Sequence, residues 1–385
     1  MVFPGPIRIL TFRMPGKTAD RVQDDRRRVF RRLKVSPQSL GRRFSLELCE
    51  QRWGMYFSAD DEDDAMNRRT FVTHTGSLLA SAGIPRDVAA QPAAGDAQIP
   101  HTSIHRVEAD GVTVFYREAG AADAPVVLLL HGFPTSSFQY RELIPRLAGR
   151  YRVIAPDLPG FGFTEVAEQR HYKYSFDALA QTVLAFTDAL GLKQYALYVF
   201  DYGAPTGFRL AMARPKGVTA IVTQNGNAYE DGLGPAWAPS QRYWSDPSPA
   251  NREAMREALT PEAFRWQYTD GVPNPDAVAP EGYTLDSALI ARPGRIDIQL
   301  DLFLDYRNNV KLYPAFQTYF RTAKPPLLAI WGKNDTAFLP AGAQAFRRDD
   351  PNAVVQLLDT GHFALETHVV EIAAAMMQFL ATTAG

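Results

Sequence analysis

The sequence predicts an α/β protein: a mostly parallel sheet with helices on both faces, split by an inserted, mainly helical lobe. Three observations predict it. Strand-like and helix-like segments alternate from about residue 101 to 225, the order that builds parallel strands with crossover helices. The alternation stops over 226–322, where aromatics, prolines and helical patches take over, and resumes over 323–385. Finally, short segments rich in Gly, Asp and His follow the ends of the predicted strands, where open α/β sheets bind ligands.

The elements follow in order. Ile104–Val107 and Val112–Arg117 flank the turn Ala109-Asp110-Gly111 and read as an antiparallel hairpin. Val126–Leu130 is a short, fully apolar strand, and Ser137–Leu147 follows with helical spacing. Tyr151–Ala155 is the next strand. Ser175–Leu190 is amphipathic, with apolar residues at Phe176, Leu179, Val183, Phe186 and Leu190, and Gly191 closes it. Tyr195–Phe200 and Val218–Thr223 are strand-like around the helix-like Gly203–Ala213. After the inserted lobe come the strand Pro326–Trp331, the helix Ala341–Arg348, the strand Ala353–Leu358 and the helix Glu366–Leu380.

Residues 1–100 differ from the rest. Arginines crowd 21–43, and 59–64 read Ala-Asp-Asp-Glu-Asp-Asp, without a sustained apolar period, so a poorly ordered extension is expected. Met66-Asn67-Arg68-Arg69-Thr70-Phe71-Val72 resembles a twin-arginine export signal, followed by the mildly apolar Gly76–Ile84 and the small residues Val88-Ala89-Ala90. If that signal operates, the protein is exported and translation starts at Met66; otherwise it is cytoplasmic. Residues 85–100 read as a linker.

Composition narrows the function classes. With 385 residues, 46% of them hydrophobic, the chain can bury a sizeable core. A formal charge of −1 gives no reason to expect nucleic acid or an anionic membrane as partner. No stretch is long and apolar enough to span a bilayer. The single cysteine, Cys49, excludes an internal disulfide framework and a cysteine-rich zinc site. His101, His105, His131 and His171 lack a zinc-like spacing, and no glycine-rich phosphate loop is present. No metal or cofactor is expected.

Four strand-end segments carry chemistry. Val199-Phe200-Asp201-Tyr202-Gly203 has the small-x-nucleophile-x-small form of a nucleophile elbow, with aspartate in place of the usual serine. A carboxylate there sits at a helix N-terminus, where free N–H groups favour its anion. Taken alone, it reads equally as a helix cap. His131-Gly132-Phe133-Pro134 follows the strand Val126–Leu130, and its backbone can offer one N–H of an oxyanion hole, that of Tyr202 being the other. Gly332-Lys333-Asn334-Asp335 and Gly361-His362-Phe363 each follow a later strand. The chain order nucleophile, acid, histidine makes Asp201, Asp335 and His362 a candidate triad.

On these motifs, with Asp157-Leu158-Pro159-Gly160-Phe161-Gly162, residues 101–385 resemble the α/β-hydrolase superfamily, in the branch of epoxide hydrolases and haloalkane dehalogenases. The resemblance implies an α/β-hydrolase core over 101–225 and 323–385 with a cap over 226–322. It also implies that Asp201 forms an ester with a small apolar electrophile, which water activated by His362, oriented by Asp335, then cleaves.

The leaving atom separates the branches. An opening epoxide needs an O–H donor, which the family draws from cap tyrosines; Tyr306 matches the second of these, and Tyr243 is the better candidate for the first, with Tyr268 kept open. A halide needs N–H donors. Dehalogenases of the family place tryptophan after the nucleophile and often asparagine or glutamate after His-Gly, where this chain has Tyr202 and Phe133. Trp237, Trp244 and Trp266 remain as N–H sources from the cap. Fluoroacetate-type enzymes put arginines beside the nucleophile, where this chain has Tyr202 and Pro205. Some dehalogenases carry the triad acid one strand earlier; Asn225 and Asn227 stand there, which leaves Asp335 as the acid. Epoxide hydrolysis is therefore favoured, with haloalkane dehalogenation, ester hydrolysis and a catalytically silent binding protein as alternatives.

Overall fold

The hairpin that opens the sheet follows from two adjacent left-handed residues. The computed structural model describes residues 100–383. Strands β1 (Ser103–Ala109) and β2 (Val112–Ala119) pair antiparallel with Ala109 opposite Val112, and the two residues between them, Asp110 and Gly111, have φ of +55° and +68°. Two consecutive positive φ values match the twist of a hairpin, and Asp-Gly adopts them readily.

The remaining strands are β3 (Val126–Leu130), β4 (Arg152–Pro156), β5 (Glu165–Val166), β6 (Tyr195–Phe200), β7 (Val218–Gln224), β8 (Leu327–Gly332) and β9 (Val354–Leu358). The sheet order is β1-β2-β4-β3-β6-β7-β8-β9, with β5 beside β2. Pairings that involve β2 are antiparallel; those from β4 across to β9 are parallel. Every residue of β6 and β8 is buried, which explains their unbroken apolar runs: both faces of a parallel sheet are covered. Leu128, Leu130, Leu197, Val199 and Ile221 point to one face, with Phe176, Phe186 and Phe208. Val127, Leu129, Tyr198, Phe200 and Val222 point to the other, with Leu143, Ile372 and Met376. Each such side chain contributes roughly 1.5–3 kcal/mol on burial, well above an exposed ion pair.

Helices α1 (Leu143–Leu147), α2 (Phe176–Ala189) and α3 (Gly203–Ala213) cover the first half of the sheet. The single helix expected over 137–147 is broken. A 3₁₀ turn at Ser137–Tyr140 precedes α1. The cause is Pro145, which cannot donate to the carbonyl four residues back but is tolerated in the first turn of α1. The two-residue β5 was not anticipated; it is too short to carry a period.

Between β7 and β8 the chain is helical: α4 (Ala238–Ser245), α5 (Pro249–Ala254), α6 (Pro261–Thr269), α7 (Glu281–Ile290) and the 29-residue α8 (Arg295–Ala323), with short 3₁₀ turns among them. Polar side chains fix this insertion to the loop after β4. Gln299 Nε2 donates to the Gly160 carbonyl at 3.1 Å, Arg292 to that of Gly162 at 3.2 Å, and Arg295 to that of Thr164 at 3.0 Å. Asp305 accepts the first N–H of α2, from Phe176, at 2.8 Å. Helices α9 (Pro340–Asp349) and α10 (Leu365–Ala381) complete the fold.

Among the described residues no helix is long and apolar enough to cross a membrane. The predicted extension, with Cys49, the Arg68-Arg69 signal and all of the linker but residue 100, lies outside the described residues.

Candidate active site

Strand β6 ends at Phe200, α3 begins at Gly203, and between them Asp201 takes a left-handed φ of +47°. A non-glycine residue there is strained by roughly 1–3 kcal/mol, and the turn is held by close packing. A Cβ on Gly203 would lie 2.0 Å from the Leu130 carbonyl oxygen, and one on Gly132 would lie 2.4 Å from Asp201 Oδ1. Only glycine at both positions lets the loop after β3 approach the carboxylate. At that approach the Phe133 N–H donates to Asp201 Oδ1 at 2.6 Å, and the Tyr202 N–H also favours the charged carboxylate. The two backbone donors expected from sequence therefore both favour the Asp201 carboxylate.

His131 braces this loop. It is fully buried, and burial holds its imidazole below the ordinary histidine range. As a neutral ring it donates through Nδ1 to the Gly132 carbonyl at 2.9 Å and accepts the Leu158 N–H on Nε2 at 2.9 Å. The Phe133–Pro134 peptide bond is cis.

His362 and Asp335 converge on Asp201 from the ends of β9 and β8. His362 Nδ1 lies 2.6 Å from Asp335 Oδ2, and its Nε2 lies 3.9 Å from Asp201 Oδ2. An ionised Asp335 can only accept, so Nδ1 carries the proton and Nε2 keeps a free lone pair. Asp335 Oδ1 accepts the N–H groups of Ala337 and Phe338 at 2.8 and 3.0 Å. His362 Nε2 is buried, with no hydrogen-bond partner among the described residues.

The three groups set one another's charge. Burial raises the Asp201 carboxyl from the usual 3.8 to about 6, against the opposing pull of His362 and of the Phe133 and Tyr202 N–H groups. Burial alone would lower His362, but the Asp335 and Asp201 carboxylates outweigh it and the imidazole ends above its ordinary value. Such an arrangement can attack an electrophilic carbon from Asp201, hold an oxyanion on two N–H groups, and deprotonate water at Nε2.

The sequence reading gave Asn225 no role of its own and did not single out Gln224. Asn225, with φ +44° at the end of β7, donates through Nδ2 to Asp335 Oδ2 at 2.7 Å and accepts the Gly332 N–H at 2.9 Å. Gln224 Nε2 donates to the His362 carbonyl at 2.8 Å. The signal was a polar Gln-Asn pair closing an apolar strand. Asn225 is at the earlier acid position, and its amide supports the acid that sits one strand later.

The insertion roofs the site with aromatics. Phe264 and Phe303 stack edge-on against Phe133; from the core, Phe338 in the loop after β8 stacks on His362. Tyr306 stands beside Tyr202, at 5.7 Å between ring centres, and packs on Trp237 and Trp244, which also contact each other. Its hydroxyl is buried without a hydrogen-bond partner of normal geometry and feels the charge of Asp201. Tyr313 is coupled to it and accepts from Asn227 Nδ2 at 3.4 Å.

Tyr243 is not brought to Asp201 by any contact. Its hydroxyl meets the Arg252 guanidinium at 3.2 Å, and Arg252 also pairs with Asp301 at the outer surface, so this expectation is corrected. Tyr268 donates to Asp286 at 2.6 Å instead of facing Asp201. The Trp237 and Trp244 N–H groups are engaged by the carbonyls of Ala337 and Phe303, at 3.0 and 2.7 Å. Trp266 lines a cavity beside His362.

A sheet of this order with a carboxylate on the strand-to-helix bend defines the class, and residues 125–369 match the α/β hydrolase fold family, to which the chain belongs. It is a hydrolase. An uncharacterised hydrolase of Saccharomyces cerevisiae is 54% identical over 283 residues, which cover 72% of this chain and 97% of the relative. Haloalkane dehalogenase 2 of Mycobacterium tuberculosis is 29% identical over 66% of this chain and 87% of its own length. Among solved structures, an epoxide hydrolase from Vigna radiata superposes with a TM-score of 0.59 at 26% identity, covering 73% of this chain and 98% of that one.

Proposed function

We propose that this hydrolase opens epoxides to diols through an ester on Asp201, with the helical insertion as a cap. Asp201 attacks a ring carbon, the carbon–oxygen bond breaks, and the Tyr306 hydroxyl gives its proton to the departing oxygen. Water, deprotonated by His362, then adds to the ester carbonyl. The oxyanion rests on the N–H groups of Phe133 and Tyr202. Collapse releases the diol, which takes its proton from the imidazolium, and the second water proton restores Tyr306. A carboxylate needs no prior activation for this attack, as a serine would.

One observation carries the choice of substrate class. The Tyr306 hydroxyl is buried, feels the charge of Asp201 and, among the described residues, has only the neighbouring Tyr313 hydroxyl beside it, whereas the N–H groups of Trp237 and Trp244 already have carbonyl acceptors. An O–H donor suits an alkoxide; a halide site needs free N–H groups. Tyr306→Phe should slow ester formation with styrene oxide about 100-fold or more and leave ester formation with 1-bromobutane within about threefold. Equal losses on both would count against the epoxide reading. Dehalogenation stays as the second reading because of the dehalogenase relatives. Faster turnover of the bromide than of the epoxide would favour it.

A further inference from the structure

Helix α6 turns one buried face, Phe264, Gln267 and Tyr268, toward the site. Phe264 packs on Phe133, and Tyr268 stacks at 3.7 Å on Phe363, the residue after His362. Gln267 shares that face and is only 3% exposed. Neither its Oε1 nor its Nε2 has a hydrogen-bond partner among the described residues. A buried amide with both polar atoms unpaired is rare in folded proteins and calls for a ligand. Gln267, His362, Asp335 and Ala337 bound a cavity of about 10 Å³, room for the centre of one water molecule. His362 Nε2 is likewise buried and unpaired.

We infer that Gln267 holds a water of this cavity against His362 and that this water supplies the nucleophile for the ester on Asp201, a residue just outside the cavity's lining. The inference rests on the ester at Asp201 proposed above. The water donates one hydrogen to His362 Nε2 and the other to Gln267 Oε1, which leaves a lone pair for the ester carbon. As the oxygen–carbon bond forms, the first proton passes to His362 and the carbonyl electron pair moves onto the oxygen held by Phe133 and Tyr202. The second hydrogen stays on the adding oxygen until the acid forms. Gln267 accepts without taking a proton, so it aims the nucleophile and does not compete with the base. The same face of α6 thus covers the site with an apolar residue at Phe133 and a polar one at the imidazole.

The test separates the two chemical steps in the full chain, with styrene oxide and 1-bromobutane as probes. Peptide mass spectrometry of quenched single turnovers follows the adduct on the Asp201 peptide. In Gln267→Leu, ester formation should stay within about twofold of wild type and serve as the folding control, while ester hydrolysis slows about 10- to 100-fold and the adduct accumulates. Gln267→Glu keeps the acceptor and should restore hydrolysis, with its acid limb moved to higher pH by the added carboxylate beside His362. Hydrolysis at the wild-type rate in Gln267→Leu overturns the inference, as does an equal fall in both steps. No rescue by Gln267→Glu also overturns it. A different result sinks the reading beneath it: with either probe, no adduct forms on Asp201 even when His362→Gln blocks hydrolysis.

Discussion

At Asp201, burial and hydrogen bonding pull in opposite directions, and burial prevails: the carboxyl rises to about 6. The proposed attack requires the anion. A raised value therefore moves the loss of activity to higher pH, so ester formation should fall tenfold per unit below about pH 6. Rapid-quench measurement of ester formation across that range checks this, and a rate that stays flat down to about pH 4 would contradict it. Asn225 offers a second test. Asn225→Ala removes a donor to Asp335 and should slow ester hydrolysis about tenfold while ester formation stays within about twofold; equal losses would point to a general disturbance. The convergence of Asp201, Asp335 and His362 was legible because each lies just past its own strand. Asn225 was not, because its partner is 110 residues away and its value lies in an amide, not a charge. Tyr243 misled because helical spacing says nothing of which way a hydroxyl turns, and Arg252 draws it toward the outer ion pairs.

At the scale of the element, α6 and α7 share a buried acid. Tyr268 on α6 donates to Asp286 Oδ2 on α7, Asp286 Oδ1 has no partner among the described residues, and burial lifts the carboxyl to about 7. A folded-state value above the unfolded one means the folded protein binds more protons between the two. Its stabilising contribution is complete below about pH 4 and is lost as pH rises to about 7, up to roughly 4 kcal/mol as an upper bound. Melting temperature measured against pH should fall through that window, and Asp286→Asn should flatten the fall; an unchanged slope in the variant would refute the assignment. The central strands were the most legible elements, since full burial writes β6 and β8 as unbroken apolar runs. Helix 137–147 was misjudged because helical spacing alone does not register Pro145, which limits where a helix can start.

Over the whole molecule, one sheet is split between β7 and β8 by a helical insertion, and that division was visible as a gap in the β-α alternation. The internal order of the insertion was not, because its aromatics serve packing and lining alike: Trp237 and Trp244 pack on Tyr306 and also bond to carbonyls. The architecture brings the ends of β3, β6, β8 and β9 together beneath that roof, so everything proposed for the reaction passes through a covalent bond from Asp201 to carbon. The most direct measurement is the intact and peptide mass of His362→Gln after exposure to styrene oxide. The account predicts one substrate mass added, located to the peptide containing Asp201 and lost in the Asp201→Ala, His362→Gln double variant. Turnover of the epoxide by wild type with no adduct in His362→Gln, or an adduct that persists without Asp201, would contradict it.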